Sequence, residues 1–282
     1  MFRIDTNQQI VSIMSTTTEF KTLGDRMKSY EVPTICRKAV KGQPLIARLD
    51  GRSFHTFTQG LHRPFDINLS SIMVGLATAL AKEFTALIGY VQSDEITLIW
   101  YCAEDSVQEY PFAGRIQKIE SVLASFAGAW FARKTSILGK QDELATFDCR
   151  AFSVPSKEEA INELRWRQWD ATKNAVSMAA HSYFSNKVLH GLNRGEMIDL
   201  LKKEADIDFS EYPYFFRRGT FVRSQTTLKF LTAEELEKIP PFYRPDGPVN
   251  RSEMVAFDMN INDQVFIEDV VFNKEQPLQI QS

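Results

Sequence analysis

Cysteine is scarce and dispersed, with only Cys36, Cys102 and Cys149 in 282 residues. No CxxC pair exists, so neither a zinc ribbon nor a disulfide framework is supported, and a reducing cytoplasm is the expected compartment. No apolar run approaches the roughly 20 residues that span a bilayer, so no membrane partner is expected. A basic amino-terminal stretch followed by an apolar one is missing, so no secretory signal is read. P-loop, GxSxG and HExxH are absent, which removes the familiar NTPase, serine hydrolase and zinc protease signatures. There is no internal repeat and no low-complexity segment. A basic surplus is lacking too. The formal net charge is -3, so any nucleic-acid binding must rest on local patches.

What is present suits a packed protein. Apolar residues make up 44% of the chain, with Phe at 21 copies, which fills a core and argues against disorder. The length allows one large domain, or a catalytic domain with a smaller appended region.

Residues 1–19 are polar and unpatterned and read as a flexible arm, or as an extension upstream of a start at Met14. Pro44–Leu49 reads as a buried strand stopping at Asp50-Gly51. Asp66 caps a predicted helix to about Phe84, with Ile67, Met73, Leu76, Leu80 and Phe84 at helical spacing. Leu87–Val91 and Ile96–Tyr101 read as a hairpin around Gln92-Ser93-Asp94-Glu95. Phe112, Ile116, Ile119, Leu123, Phe126 and Trp130 mark a second helix, and Leu144–Val154 returns as a strand. The fold class is therefore α/β (α+β), in the ferredoxin-like split βαβ order. One antiparallel sheet is expected, with both helices on one face and the other face open for a substrate. This domain spans 20–155. Residues 156–282 are expected to form a helical and strand extension packed on it and contacting RNA. Ser156 opens a long helix to about Phe184, Asn193 or Gly195 starts another, and Arg218–Phe230 is strand-like. Thr232 caps a short helix, and Val255–Phe272 alternates too weakly to assign.

Asp50 follows the first strand directly and Asp94 sits at the hairpin tip. Singly, each reads as an ordinary turn aspartate. In this topology the two converge, as oxygen ligands of hard divalent cations do. Glu95 is a third ligand, a holder of ligand water, or a solvated hairpin residue. Gly51 permits close backbone approach, and the amides of Arg52 to His55 with the Ser53 hydroxyl can hold phosphate oxygens. His55 could meet a ribose or phosphate. Basic residues that suit polyphosphate or RNA are Arg63, Arg150, and Arg115 with Lys118 one helical turn on. Others are Arg165, Arg167 and Lys173 on the long helix, and Arg217-Arg218 opening a strand. Trp166/Trp169 and Phe215/Phe216 could stack on bases, buried packing being the commoner fate of such pairs.

Three stretches resemble the signature of the tRNA(His) guanylyltransferase-like family. They are Arg48-Leu49-Asp50-Gly51-Arg52-Ser53-Phe54-His55, Arg63-Pro64 and Gln92-Ser93-Asp94-Glu95. Phe147-Asp148-Cys149-Arg150, Trp166-Arg167-Gln168 and Arg217-Arg218-Gly219-Thr220 match in order and spacing, and the resemblance covers roughly residues 20–225. It implies a palm-like nucleotidyltransferase that adds nucleotides 3′ to 5′. ATP or GTP activates an RNA 5′-phosphate, and the 3′-hydroxyl of an incoming nucleotide attacks it. The resemblance implies two Mg²⁺ on Asp50, Asp94 and the Gly51 carbonyl, and nucleotide contacts along residues 50–55 and at Ser93. Taken with the reading of the residues themselves, Asp50, Asp94 and Glu95 are the expected catalytic set. Nucleotide contacts are also expected at Arg63, Asp94, Arg115, Lys118 and Arg150. RNA contacts fall on Arg165, Arg167, Lys173, Asn174, Arg217 and Arg218. The implied partner is tRNA or another RNA with an accessible 5′ end, and the implied assembly a homotetramer.

Where the guanylyltransferases proper carry His-Ile-Asn-Asn-Leu-Tyr-Asn, this chain has Thr172-Lys173-Asn174-Ala175-Val176-Ser177-Met178. In this it resembles the template-dependent "like protein" branch, which repairs truncated tRNA 5′ ends. Addition of G to tRNA(His) is the alternative. A palm-type nucleotide cyclase and a non-catalytic RNA-binding module are more distant ones.

Overall fold

Alternation along Leu45–Gly51, strand β1, sends Leu45, Ala47 and Leu49 into one apolar core and Ile46 into another on the opposite side. The strand therefore has two buried faces, and each needs a cover. The computed structural model describes residues 22–35, 37–262 and 267–273. The expected arm and Cys36 lie outside them.

Two helices cover the first face. Helix α3, Ile67–Glu83, starts at Asp66, whose side chain accepts from the Leu69 amide at 3.0 Å. It buries Met73, Leu76 and Leu80 but leaves Ile67 exposed. Helix α4, Ile116–Ala132, buries Ile116, Ile119, Leu123 and Phe131. Strands β2 (Ile88–Gln92), β3 (Glu95–Trp100) and β4 (Phe147–Ser153) join β1 in the antiparallel order β4-β1-β3-β2. This is the ferredoxin-like arrangement read from the sequence.

The second face is not open, contrary to the expectation. Helix α5, Lys157–Tyr183, lies over it and packs Ala160, Ile161, Leu164 and Ala171 against Ile46, Ile88, Tyr90 and Ile99. Four apolar side chains on that face would otherwise meet water, at about 25 cal/mol per Å². The far half of α5 builds a third core, in which Ala175, Val176, Ala179 and Ala180 meet Leu201, Phe209 and Phe216. After the short helix α6, Asn186–Leu189, helix α7, Arg194–Ala205, supplies Leu201 and begins with an Asn193 capping box.

The strand-like segment is β5, Thr220–Lys229, which pairs with β2, and β6, Val249–Phe257, which begins before the unassigned tail and ends inside it, pairs with β5. Among the described residues the sheet thus has six strands, two of them from residues 156–282. Arg217-Arg218 do not open β5, contrary to the expectation from sequence. They end a short helix, α8, Tyr214–Arg218, and Gly219 intervenes at φ 77°. A side chain at Gly219 would collide with the Tyr90 ring, whose hydroxyl donates to the Arg218 carbonyl at 2.8 Å. Contacts divide the chain into two compact units, one ending at Arg37 and one starting at Lys38. Helix α1, Leu23–Ile35, belongs to the first, and the Thr22 hydroxyl accepts from the Asp25 amide at its start.

Candidate active site

Ser93 and Asp94 form the two-residue turn between the paired residues Gln92 and Glu95. The Gly51 amide donates to the Asp94 carbonyl at 3.2 Å, which ties the end of β1 to this turn. Asp50 stands in register with Glu95 on β3 and with Asp148 on β4. Burial pushes the Asp50 carboxyl above the usual range, and Asp148 adds to this against Arg150, Arg48 and Arg167. Asp94 is raised by burial and by Asp50, while its own backbone and the Ser93 hydroxyl, donating at 3.0 Å, oppose the shift. Nearby cations pair elsewhere: Arg150 lies 3.6 Å from Asp148, and Arg167 holds Glu95. Among the described residues neither Asp50 nor Asp94 has a salt-bridge partner. Two partly buried carboxylates that repel each other and have no direct ion pair among the described residues fit a hard divalent cation such as Mg²⁺.

Glu95 is not a solvated hairpin residue, because its half-buried carboxylate is held by an ion pair. Arg167 donates to its two oxygens at 2.6 and 2.9 Å, and to Asp170 at 3.0 Å. Arg48 stands 4.0 Å from Glu95 and 3.9 Å from Glu163. Burial raises the Glu95 carboxyl and the Arg167 pair works against it. Arg167 is therefore committed inside the protein rather than offered to RNA. Helix α5, by covering the second face, sets the guanidinium over the carboxylate.

Ser53 and Ser93 both adopt left-handed backbone, at φ 56° and 52°. Such a conformation costs a serine on the order of 1–2 kcal/mol and is typical of sites that need a special turn. Ser53 precedes helix α2, Phe54–Phe57. The Arg52 amide is taken by the Thr146 carbonyl, while the amides of Ser53, Phe54 and His55 lie at the helix start, where no intrahelical acceptor exists. A cavity of about 620 Å³ is lined by Ser53, His55, Arg63 and Asp94 together with Ser177 and His181 of α5. The Phe54 ring belongs mainly to the core, 4% exposed and 5.2–5.5 Å from Phe57, Phe131 and Phe147. It also explains Gly51, because a Cβ there would strike the ring.

The other basic residues divide. Arg63 and Arg150 are exposed, Arg63 on the cavity and Arg150 two residues along β4 from Asp148. Arg115 and Lys118 are not brought to the carboxylates. The Arg115 backbone bridges Lys38, near the start of β1, and the seven residues of β1 span about 20 Å. Arg165 donates to Asn162. Lys173 and Asn174 are exposed, with Asn174 3.4 Å from Asp170. Arg217 donates to the Tyr212 carbonyl and Arg218 to Asn260. Gln168 is fully buried and links Arg218, Met259 and Ile261 through its amide group.

Sequence reasoning missed Asp148, although a strand antiparallel to β1 would have set an aspartate opposite Asp50. It also missed Ser177 and His181 as cavity residues, because which face of a long helix meets a cavity is decided by packing. Phe216 is buried as expected, but Trp166 and Trp169 are 50% and 60% exposed.

The family model described as tRNAHis guanylyltransferase matches residues 24–155. A bacterial tRNA(His) guanylyltransferase-like protein solved with ATP is 31% identical, at a TM-score of 0.73, over 89% of this chain and 100% of that one. Its counterpart solved with GTP is 30% identical, at a TM-score of 0.69, over 89% and 99%. An uncharacterised protein of Acanthamoeba polyphaga mimivirus is 31% identical over 229 residues, which is 72% of this chain and 77% of that protein. The motifs around the two carboxylates, the palm-like sheet that joins them and these likenesses agree, and the chain belongs to the tRNA(His) guanylyltransferase family of nucleotidyltransferases.

Proposed function

We propose that this chain extends RNA 5′ ends in the 3′-to-5′ direction, selecting each nucleotide by pairing with the opposing base of the RNA. The observation that carries this reading is a single cavity lined by the turn carboxylate Asp94, the amide-rich start of α2 and Arg63. The likeness to proteins solved with ATP and GTP supports nucleoside triphosphates as substrates. Asp50, Asp94 and the Gly51 carbonyl would hold two Mg²⁺, which when bound neutralise phosphate charge and favour the attacking hydroxyl. The amides of Ser53 to His55 donate to phosphate oxygens, and Arg63 adds a fixed positive charge. In the first step the RNA 5′-phosphate displaces pyrophosphate from a triphosphate. In the second, the 3′-hydroxyl of the incoming nucleotide attacks the activated phosphate and the nucleoside monophosphate leaves.

Templated choice is supported by the wall that α5 gives the cavity. Ala175 and Val176 are closed into the third core, so packing accounts for two of the positions at which the chain departs from the guanylyltransferases. The cavity side of the same stretch offers Ser177 and Met178. One turn on, the His181 Nδ1 lies 2.8 Å from the Ser177 carbonyl. The polar groups of this wall, Ser177, His181 and Ser182, bond to one another or to carbonyls of the helix, which leaves little to read a base edge. The same reading takes the cytoplasm as the compartment and a homotetramer as the assembly, which light scattering checks. No described helix is long and apolar enough to cross a membrane.

The test uses four 5′-truncated RNAs that differ only at the base opposite the missing position, each offered the four triphosphates singly with Mg²⁺. Addition of the pairing nucleotide is expected. Addition of G regardless of the opposing base would return the chain to tRNA(His) guanylylation, and a cyclic product without RNA would make it a cyclase.

A further inference from the structure

Trp166 and Trp169 stand three residues apart on α5, and both keep at least half of their surface in water. A large apolar side chain on a surface helix normally turns inward, so two neighbouring exposed indoles need a reason. Trp166 is held in place rather than mobile. The guanidinium of Arg167 lies 4.4 Å from its ring centre and that of Arg48 lies 5.7 Å away. Both cations are in turn fixed in the network around Glu95 and Glu163.

The two indoles open on a groove of about 920 Å³ between α5 and the start of α7, lined also by Lys173, Ser177, Arg194 and Met197. Asp170 lines it too, but one of its oxygens accepts from Arg167 at 3.0 Å. Ser177 lines both this groove and the 620 Å³ cavity beside Asp94, so the two adjoin at that residue of α5. A protein partner would ask for a broad apolar centre depleted of charge, whereas this groove carries Asp170, Lys173 and Arg194. The groove sets flat apolar faces beside two cations that have no ion pair among the described residues, the combination that stacks unpaired bases and tracks their phosphates.

We propose that this groove is a stacking subsite for unpaired nucleobases of the RNA whose 5′ end occupies the neighbouring cavity, with Trp169 as the main platform and Lys173 and Arg194 on the phosphates. The assignment of RNA as substrate rests on the function proposed above, but base stacking can be tested apart from nucleotide addition.

The test titrates the full-length protein with a 5′-phosphorylated oligoadenylate and with an abasic oligomer of equal charge, following tryptophan emission and affinity. Oligoadenylate is expected to quench emission and to bind the wild type at least about fivefold more tightly than Trp169→Ala, the lower bound for one base on a ring. Trp169→Phe should restore most of the affinity, and the abasic oligomer should bind both proteins equally without quenching. Thermal unfolding of each variant checks that the helix is intact. Equal affinity of wild type and Trp169→Ala for oligoadenylate, or equal binding of the two oligomers to the wild type, overturns the proposal. So does a Trp169→Ala protein whose mass in solution falls while its RNA affinity stays, which would give the surface to a second copy of the chain. If RNA extension is absent yet oligoadenylate binding still depends on Trp169, the subsite stands and the proposed activity falls.

Discussion

The two faces of the sheet are built from the same strands but to different ends. Under α3 and α4 the face is dry throughout, with Leu45, Ala47, Leu49, Ile96 and Leu98 meeting Met73, Leu76 and Leu123. Under α5 it is dry only at one end, around Ile46, Ile88 and Ile99. Towards the carboxylates the same strands turn to Arg48 and Glu95, joined to Glu163 and Arg167 of the helix. Apolar packing is non-directional and stabilises the sheet as a whole, whereas a forked ion pair fixes one side chain against another. The molecule uses the first where only stability is needed and the second next to the residues proposed above to hold the metal.

The largest contrast between the faces should appear on removing a carboxylate at the ionic end. Asp94→Ala or Asp50→Ala is expected to lose several kcal/mol of transition-state stabilisation, about a thousandfold or more in the rate of nucleotide addition. The melting temperature should hold or rise, since each substitution relieves repulsion between buried acids. Near wild-type addition by either variant would reject the metal role. Breaking the ion pair should move stability instead. Arg167→Met leaves Glu95 buried with only distant cations and should cost about 3–5 kcal/mol in denaturant unfolding. Adding Glu95→Gln should return most of that loss, and no recovery in the double variant would show that the two residues act separately.

On the dry face, Leu76→Ala should cost about 2–5 kcal/mol by cavity formation. Addition per folded molecule should stay as in the wild type, because Leu76 touches only core. A drop in specific activity without unfolding would erase the division between the faces. The smallest effect is expected from Glu163→Gln. Burial raises the Glu163 carboxyl above its usual value, and Arg48 and Arg167 oppose this. A raised folded-state value means that ionisation costs the folded protein stability as pH climbs through that range. The variant should therefore gain slightly on the wild type at about pH 8 and lose the gain at about pH 4, as read from paired denaturation curves. The opposite slope would mean that the Arg48 pair outweighs desolvation.

Much of the scaffold was legible because its signals are local. Period-two and period-3.6 patterns located β1 to β4 and the helices between them, and Asp66, Ser156, Asn193 and Thr232 marked helix starts that the structure keeps. The cover over the second face was hidden because the apolar residues there share their strands with Arg48 and Glu95, so the pattern reads as half solvated. Arg115 and Lys118 were assigned to the nucleotide because helical spacing says which residues share a face but not which end of the sheet that face reaches. Strand direction decides this. β3 runs away from Asp94, so the helix after it begins at the far end. Strand β6 was unreadable because most of its residues are exposed, and alternation fades without a buried side. Of the site itself, the two aspartates and the Ser53 to His55 turn could be read from sequence. The fates of Glu95, Arg167, Ala175 and Val176 could not, because each depends on where α5 comes to rest.

Helix α5 runs unbroken for 27 residues, and this imposes a condition of phase. Each residue advances the helix by about 100°. Arg167, the buried Ala175 and Val176, and the cavity residues Ser177 and His181 are correctly aimed only while the count between them is kept. One residue inserted near Thr172 would leave the Arg167 clamp in place. It would also turn Ala175 and Val176 out of the core and swing Ser177 and His181 off the cavity. Substitutions along this stretch can therefore be absorbed one at a time, but insertions and deletions cannot.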